Sequence, residues 1–266
     1  MAPTKPAVKS IHVQIDTPSG ETLAATVDMP GAGPDGAPVA LVAHCFTCNR
    51  QSPGVSRISK TLARHGYVSV RVDFTGLGQS CGDFAATGLD SNVGDVIAAA
   101  TWATDNFGDV SLLVGHSLGG SAVLAAASRI GGVKAVATVG APFDPRHAAA
   151  GIPAAVKELS ADEQAEAQLP GRPIKIGARL LRSLAEFSVE EALAGLADKG
   201  VPLLVLHSPE DRTVPFADAV KLFEAAAQPA SLMAVPEVDH LLVWRGSGQR
   251  IGELVAKWAE PLVRVS

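Results

Sequence analysis

The sequence is 266 residues long, 47% hydrophobic and 18% charged, enough apolar material for a large core in one α/β domain spanning residues 1–266. Its 22 basic and 27 acidic residues leave a net charge of −5, with no basic excess to hold nucleic acid or an anionic membrane surface. The opening MAPTKPAVKS lacks the apolar stretch of a signal peptide, and no later segment offers about 18 consecutive apolar residues, so a soluble, cytoplasmic chain without a membrane partner is expected.

In chain order, residues 11–15 and 23–27 alternate apolar and polar side chains around Pro18-Ser19-Gly20, which predicts an antiparallel hairpin at a sheet edge. The runs 39–43, 68–72, 111–115, 135–139 and 203–207 are short, β-branched and apolar on both faces, as parallel strands buried between two helix layers are. Helices are predicted over 55–65, 92–106 and 121–130, the second preceded by Asp90 and Ser91 as capping candidates. From 143 to 199 this rhythm breaks. The segment is long, mixed in charge and carries Leu169-Pro170-Gly171-Arg172-Pro173 as a turn between two candidate strands, so it reads as a small cap-like insertion after the sixth strand. The apolar run 232–235 leads to a late loop, and 251–263 supplies a final helix.

Cys45, Cys48 and Cys81 cannot all pair within one chain, and so low and odd a count is not a disulfide framework, which favours a reducing compartment. Cys45-Phe46-Thr47-Cys48 has C-x-x-C redox spacing, but no second pair completes a zinc site. Small residues packed in a tight loop are the preferred reading. No metal and no cofactor are expected.

Gly115-His116-Ser117-Leu118-Gly119 matches G-x-S-x-G, a pattern short enough to arise by chance around an incidental serine. Its setting is more specific. A buried-strand pattern leads straight into Gly115, and the alanine-rich run from Ser121 is helix-compatible, the order in which such a serine is exposed on a strained turn. Glycines two residues before and after the serine relieve crowding against neighbouring strand and helix. The first N–H groups of the helix, with its dipole, favour negative charge beside the hydroxyl.

A serine hydroxyl becomes an effective nucleophile when a histidine accepts its proton and a carboxylate fixes that histidine. Downstream of Ser117 the candidate bases are His147, His207 and His240. His207 closes a buried strand and reads as packed or loop-bonding, and His147 follows the sixth strand too early. His240, in the loop after the last strand, is the expected base. Asp211, in the loop after 203–207, is the expected acid, with Asp144 its chief rival and Glu210 and Asp239 as local competitors. Two backbone donors are needed for the oxyanion. The N–H of Leu118 is one, and Phe46 in Leu41-Val42-Ala43-His44-Cys45-Phe46 is the other, with its ring a candidate wall for an apolar acyl pocket. Cys45 stands where glycine is commonest.

Five segments, His44-Cys-Phe-Thr-Cys48, Asp73-Phe-Thr-Gly-Leu-Gly-Gln-Ser80, Gly115-His-Ser-Leu-Gly-Gly120, Gly140-Ala-Pro-Phe-Asp-Pro145 and Leu206-His-Ser-Pro209, together resemble the hydrolase half of bacterial proteins that join an α/β-hydrolase to an OsmC-type domain. The resemblance runs over nearly the whole chain. It implies the α/β-hydrolase fold, a triad of Ser117, Asp211 and His240, Cys45 as usual in this subgroup, and an OsmC-type domain as partner in the full-length protein. Either a separated domain or a natural stand-alone form fits where the chain stops. The expected activity is hydrolysis of short acyl esters, a small-molecule substrate, with a homodimer among the expected assemblies. The competing class is a binding or regulatory module that keeps the fold without turnover, because fold alone does not carry function.

Overall fold

The computed structural model describes residues 7–146, 163–169 and 172–264. An eight-stranded sheet runs in the order β1-β2-β4-β3-β5-β6-β9-β10. β1 (Lys9–Asp16) and β2 (Thr22–Met29) form the expected hairpin at one edge, and β2 is also antiparallel to β4 (Val68–Val72). β3 (Val39–Ala43), β5 (Val110–His116), β6 (Ala135–Val139), β9 (Leu203–His207) and β10 (Ala230–Ala234) continue from β4 in parallel. This is the α/β-hydrolase fold.

Both faces of the sheet are covered, and the strand alternation shows how. Val39, Leu41 and Ala43 of β3 point into one core, whereas Ala40 and Val42 point into the other. The first core is closed by α2 (Leu89–Phe107), α3 (Leu118–Ala127) and α5 (Val189–Asp198), the second by α1 (Pro53–Arg64) and α7 (Ser247–Val263). α6 (Phe216–Ala225) packs beside β9 and β10. Within 143–199 lie the antiparallel pair β7 (Gln164–Leu169) and β8 (Arg172–Gly177), then α4 (Ala178–Glu186) and α5.

Two local expectations are corrected. α2 begins earlier than predicted, with Gly88 at the N-cap, so Asp90 and Ser91 lie in its first turn. Ser91 still contributes there, its hydroxyl accepting the Gly88 N–H at 3.2 Å. The last strand is 230–234 rather than 232–235, and its first four residues are half-buried and Ala234 exposed because it is the other sheet edge.

Candidate active site

The C-terminal ends of the parallel strands deliver the site. β5 ends at His116, and Ser117 follows at once as the N-cap of α3, with φ 52° and ψ −122°. A positive φ is uncommon for a residue with a side chain and persists where the surroundings over-determine it. Here the Ser117 N–H donates to Val139 O at 2.9 Å, and its carbonyl accepts from the Gly120 N–H at 2.7 Å. The flanking glycines meet different neighbours. A Cβ on Gly115 would lie 2.3 Å from the Gly119 carbonyl oxygen, inside the following helix, whereas a Cβ on Gly119 would lie 2.3 Å from the carbonyl oxygen of His44. Helix α3 can therefore sit against the end of β3 only where side chains are missing.

The loops after β9 and β10 bring two more groups to the serine. His240 Nε2 lies 3.1 Å from Ser117 Oγ, and His240 Nδ1 lies 2.7 Å from Asp211 Oδ2. The other Asp211 oxygen accepts the N–H groups of Thr213 and Val214 at 2.8 and 2.9 Å. Burial pushes the Asp211 carboxyl up, but hydrogen bonds from His207 and His240, the charge of His240 and the Val214 N–H outweigh it and hold the acid well below the usual carboxylate range.

The rival carboxylates are engaged elsewhere. Asp144 is bridged by Arg146 at 2.5 Å, Glu210 accepts from Ser208 Oγ and the Glu237 N–H, and Asp239 accepts the N–H groups of Val243 and Trp244. His207 Nε2 lies 3.0 Å from Val214 O and 3.5 Å from Asp211 Oδ2, a loop-bonding histidine as expected. His147 lies outside the described residues.

On the other side of Ser117, Leu118 opens α3 with an N–H that has no acceptor within the helix. Phe46 follows β3 by three residues, and its N–H donates to no backbone carbonyl among the described residues. The Phe46 ring is half-buried and tilts against Phe84 at 5.9 Å between centroids. The peptide before it is tightly held. His44, wholly buried, points Nδ1 at Cys45 O at 2.8 Å and accepts the Phe74 N–H on Nε2 at 3.1 Å. A backbone N–H can only donate, so His44 is the neutral Nδ1–H form. Burial lowers its pKa to about 4, in keeping with that form.

The cysteine reading needs correction. Cys45 and Cys48 are joined by a disulfide with Cα atoms 5.3 Å apart, while Cys81 is free and exposed. An odd count excludes complete pairing but not one local bridge, and a turn that brings the Cys48 N–H to 3.1 Å from Cys45 O closes it.

Residues 30–251 match the model of the alpha/beta hydrolase family, five-sixths of the chain. The chain belongs to this family. The solved esterase domain of a Rhodothermus marinus protein is 37% identical, with a TM-score of 0.77 over 96% of this hydrolase and 99% of that chain. Est1E from Butyrivibrio proteoclasticus, solved with ferulic acid bound, shares the fold at 23% identity, with a TM-score of 0.78 over 95% and 100% of the two chains. The uncharacterized protein YfhR of Salmonella typhimurium is 28% identical over 178 residues, 65% of this hydrolase and 55% of YfhR. The hydrolase spans about half the length of the curated relatives it matches.

Sequence reasoning missed His116. It is fully buried, and its Nε2–H donates to the His240 carbonyl at 2.7 Å, tying the strand before the serine to the loop that carries the histidine. Burial, then the nearby His240, lower its pKa to about 4 and keep it neutral. Its place in the x of G-x-S-x-G was the only signal in the hydrolase sequence. Nor does the sequence mark a cavity away from these residues. It measures about 890 Å³, its walls include Asp95, Trp102, Glu21 and Arg179, and Ser117, Asp211, His240 and Phe46 are not among its lining residues. Among the described residues no group of His, Cys, Asp and Glu could hold a metal ion, and no helix is long and apolar enough to cross a membrane.

Proposed function

We propose that this hydrolase is a serine carboxylesterase acting on short acyl esters. The observation that carries the reading is the continuous series Asp211 Oδ2, His240 Nδ1, His240 Nε2 and Ser117 Oγ, at 2.7 and 3.1 Å, ending on a strained serine at a helix N-terminus. In the first step His240 takes the Ser117 proton as Oγ attacks the ester carbonyl, and the imidazolium is stabilised by the ionised Asp211. The N–H groups of Phe46 and Leu118 hold the oxyanion. The tetrahedral intermediate collapses, the acyl C–O bond to the alcohol breaks, and His240 gives its proton to the leaving oxygen. Water, deprotonated by the same histidine, then attacks the acyl group and releases the acid from Ser117.

Residues 143–199 we read as a small cap-like insertion within a single domain at 1–266, and with no large lid pattern they favour short acyl chains. An OsmC-type domain is the partner we propose for the full-length protein, in the cytoplasm. The test is hydrolysis of p-nitrophenyl acetate and butyrate by the unmodified chain and by Ser117→Ala. Turnover that is absent, or that survives the substitution unchanged, overturns the esterase reading.

A further inference from the structure

We propose that the Cys45–Cys48 disulfide is a positioning element of the oxyanion loop, so that turnover at Ser117 depends on its redox state. The inference rests on the esterase reading above and concerns the donor from Phe46. A trans peptide is planar, with its C=O and N–H pointing in opposite directions. The Cys45 carbonyl and the Phe46 N–H belong to one such unit, so whatever fixes the first aims the second. Two donors converge on Cys45 O, the Nδ1–H of His44 at 2.8 Å and the N–H of Cys48 at 3.1 Å.

The two donors are held differently. His44 is anchored from behind by the Phe74 N–H on its other nitrogen. Cys48 is anchored by its own covalent bond back to Cys45. Between them Thr47 takes φ 58°, a conformation that a β-branched residue rarely adopts and that its surroundings must impose. Without the disulfide, Thr47 is free to relax and to carry the Cys48 N–H away from Cys45 O. The Phe46 peptide then keeps only the His44 hydrogen bond and can tilt.

The rest of the loop is fixed independently. Arg50 donates its backbone N–H to Asp73 Oδ1 at 2.5 Å, pairs its buried guanidinium with the same carboxylate, and is itself 2% exposed. Asn49 is held as well, its N–H donating to Ser52 Oγ at 3.1 Å and its carbonyl accepting the Ser52 N–H at 3.0 Å. Reduction therefore loosens only residues 46–48 and leaves the fold intact. The bond is also reachable from one side, because Cys45 is 3% exposed whereas Cys48 is half-buried. The reductant is a dithiol, small or protein-borne. One of its thiolates attacks the Cys48 sulfur, the Cys45–Cys48 bond breaks, and the departing Cys45 thiolate takes up a proton. The second reductant thiol then resolves the mixed disulfide. Two electrons pass to the protein, which ends with two thiols, and the reductant ends with one disulfide.

The experiment measures p-nitrophenyl butyrate kinetics after equilibration in reduced or oxidised dithiothreitol, with differential alkylation and mass spectrometry reporting the state of Cys45 and Cys48. Losing an oxyanion donor outright costs about 10²–10³ in kcat, so a tilted one should cost about tenfold or more, with KM within about twofold. The rate should recover on reoxidation. Cys48→Ser should match the reduced chain in both buffers, and Cys81→Ser should keep the full response. Equal kcat in chains shown to carry the open and the closed bond overturns the proposal. So does alkylation showing that oxidised dithiothreitol cannot close it. If Ser117→Ala hydrolyses like the unmodified chain, the esterase reading itself has failed. A rate that needs Ser117 but ignores the redox state removes the clamp alone.

Discussion

The contact between Gly119 and the end of β3 gives the sharpest prediction for the proposed chemistry. A Cβ added there would meet His44 O at 2.3 Å, Ala43 O at 2.8 Å and Ala43 C at 3.0 Å, all of them backbone atoms. Ordinary contact begins at 3.4 Å, so Gly119→Ala must push α3 and the oxyanion loop apart by about 1 Å. In the proposed chemistry that seam sets the spacing between the Leu118 and Phe46 N–H groups. A displacement of this size in positioned groups costs about 10²-fold in rate, or about 2.7 kcal/mol of barrier. Overpacking should also cost about 1–3 kcal/mol of stability, a fall in Tm of about 2–4 °C for each kcal/mol in a chain of this size. Gly94→Ala is the control, because a Cβ at that position in α2 meets nothing within 4 Å. It should raise Tm slightly, by the about 0.5–1 kcal/mol that alanine gains over glycine in a helix, and leave kcat alone. The measurements are thermal melts and p-nitrophenyl butyrate kinetics for both variants. A folded Gly119→Ala chain with the rate of the unmodified protein would refute the claim that this seam sets the oxyanion donors.

Asp211→Asn should lower kcat by about 10⁴-fold, as expected for a carboxylate that orients and stabilises the imidazolium, whereas Asp144→Asn should stay near the unmodified rate because Asp144 is paired with Arg146. Comparable losses in both variants would remove Asp211 from the role. Stability should respond to acid through His44 and His116, each lowered from 6.5 to about 4 by burial. Between those values the unfolded chain binds more protons, so urea-unfolding stability should fall as the pH drops from 6.5 towards 4, by up to about 1.4 kcal/mol per pH unit for each histidine, and level off below. The depressed Asp211 acts in a lower window, its contribution full above the ordinary carboxylate range and lost progressively as pH falls from that range to its own lowered value. His116→Phe keeps a ring at this buried position but removes the donor to His240 O, which should cost about 1–3 kcal/mol and lower kcat, while His116→Gln retains a donor and should lose less. A His116→Phe enzyme that keeps both its stability and its rate would show that the carbonyl does not need this anchor.

Much of the fold was readable because a strand buried on both faces leaves a plain record. The predicted runs 39–43, 68–72, 135–139 and 203–207 coincide with β3, β4, β6 and β9 residue for residue. Edge and cap positions were less clear. β10 is half-buried, so its pattern is diluted, and Gly88 caps α2 through backbone geometry and Ser91 rather than through a side chain of its own. Chain order pointed to Ser117, His240 and Asp211, and His240 lies 3.1 Å from Ser117 Oγ and 2.7 Å from Asp211 Oδ2. What no local pattern could supply is the bracing behind them. The pairing of Arg50 with Asp73 joins two loops 23 positions apart, and His116 reaches a carbonyl 124 positions away. The cysteine bridge is local, yet counting argued against it because the count spoke only of frameworks.

The buried histidines share one logic that joins these separate features. His44 gives its N–H to Cys45 O, His116 to His240 O, and His207 to Val214 O. Each acceptor lies on a segment that carries a group of the proposed reaction: the Phe46 donor, the base His240, and the acid Asp211. An imidazole suits this work because its ring fills core volume as an aromatic does, while one nitrogen donates to a carbonyl of the loop it braces. The cost is that it must remain neutral, and burial of His44 and His116 enforces that by lowering their pKa values to about 4. Charging either would put an unpaired cation beside the site and draw its segment out of place. The same burial that makes them good braces should therefore weaken the fold as the pH falls from 6.5 towards 4. It also leaves the half-buried Cys48, outside the histidine scheme, as the weakest support of the Phe46 peptide and the one that solvent chemistry can reach.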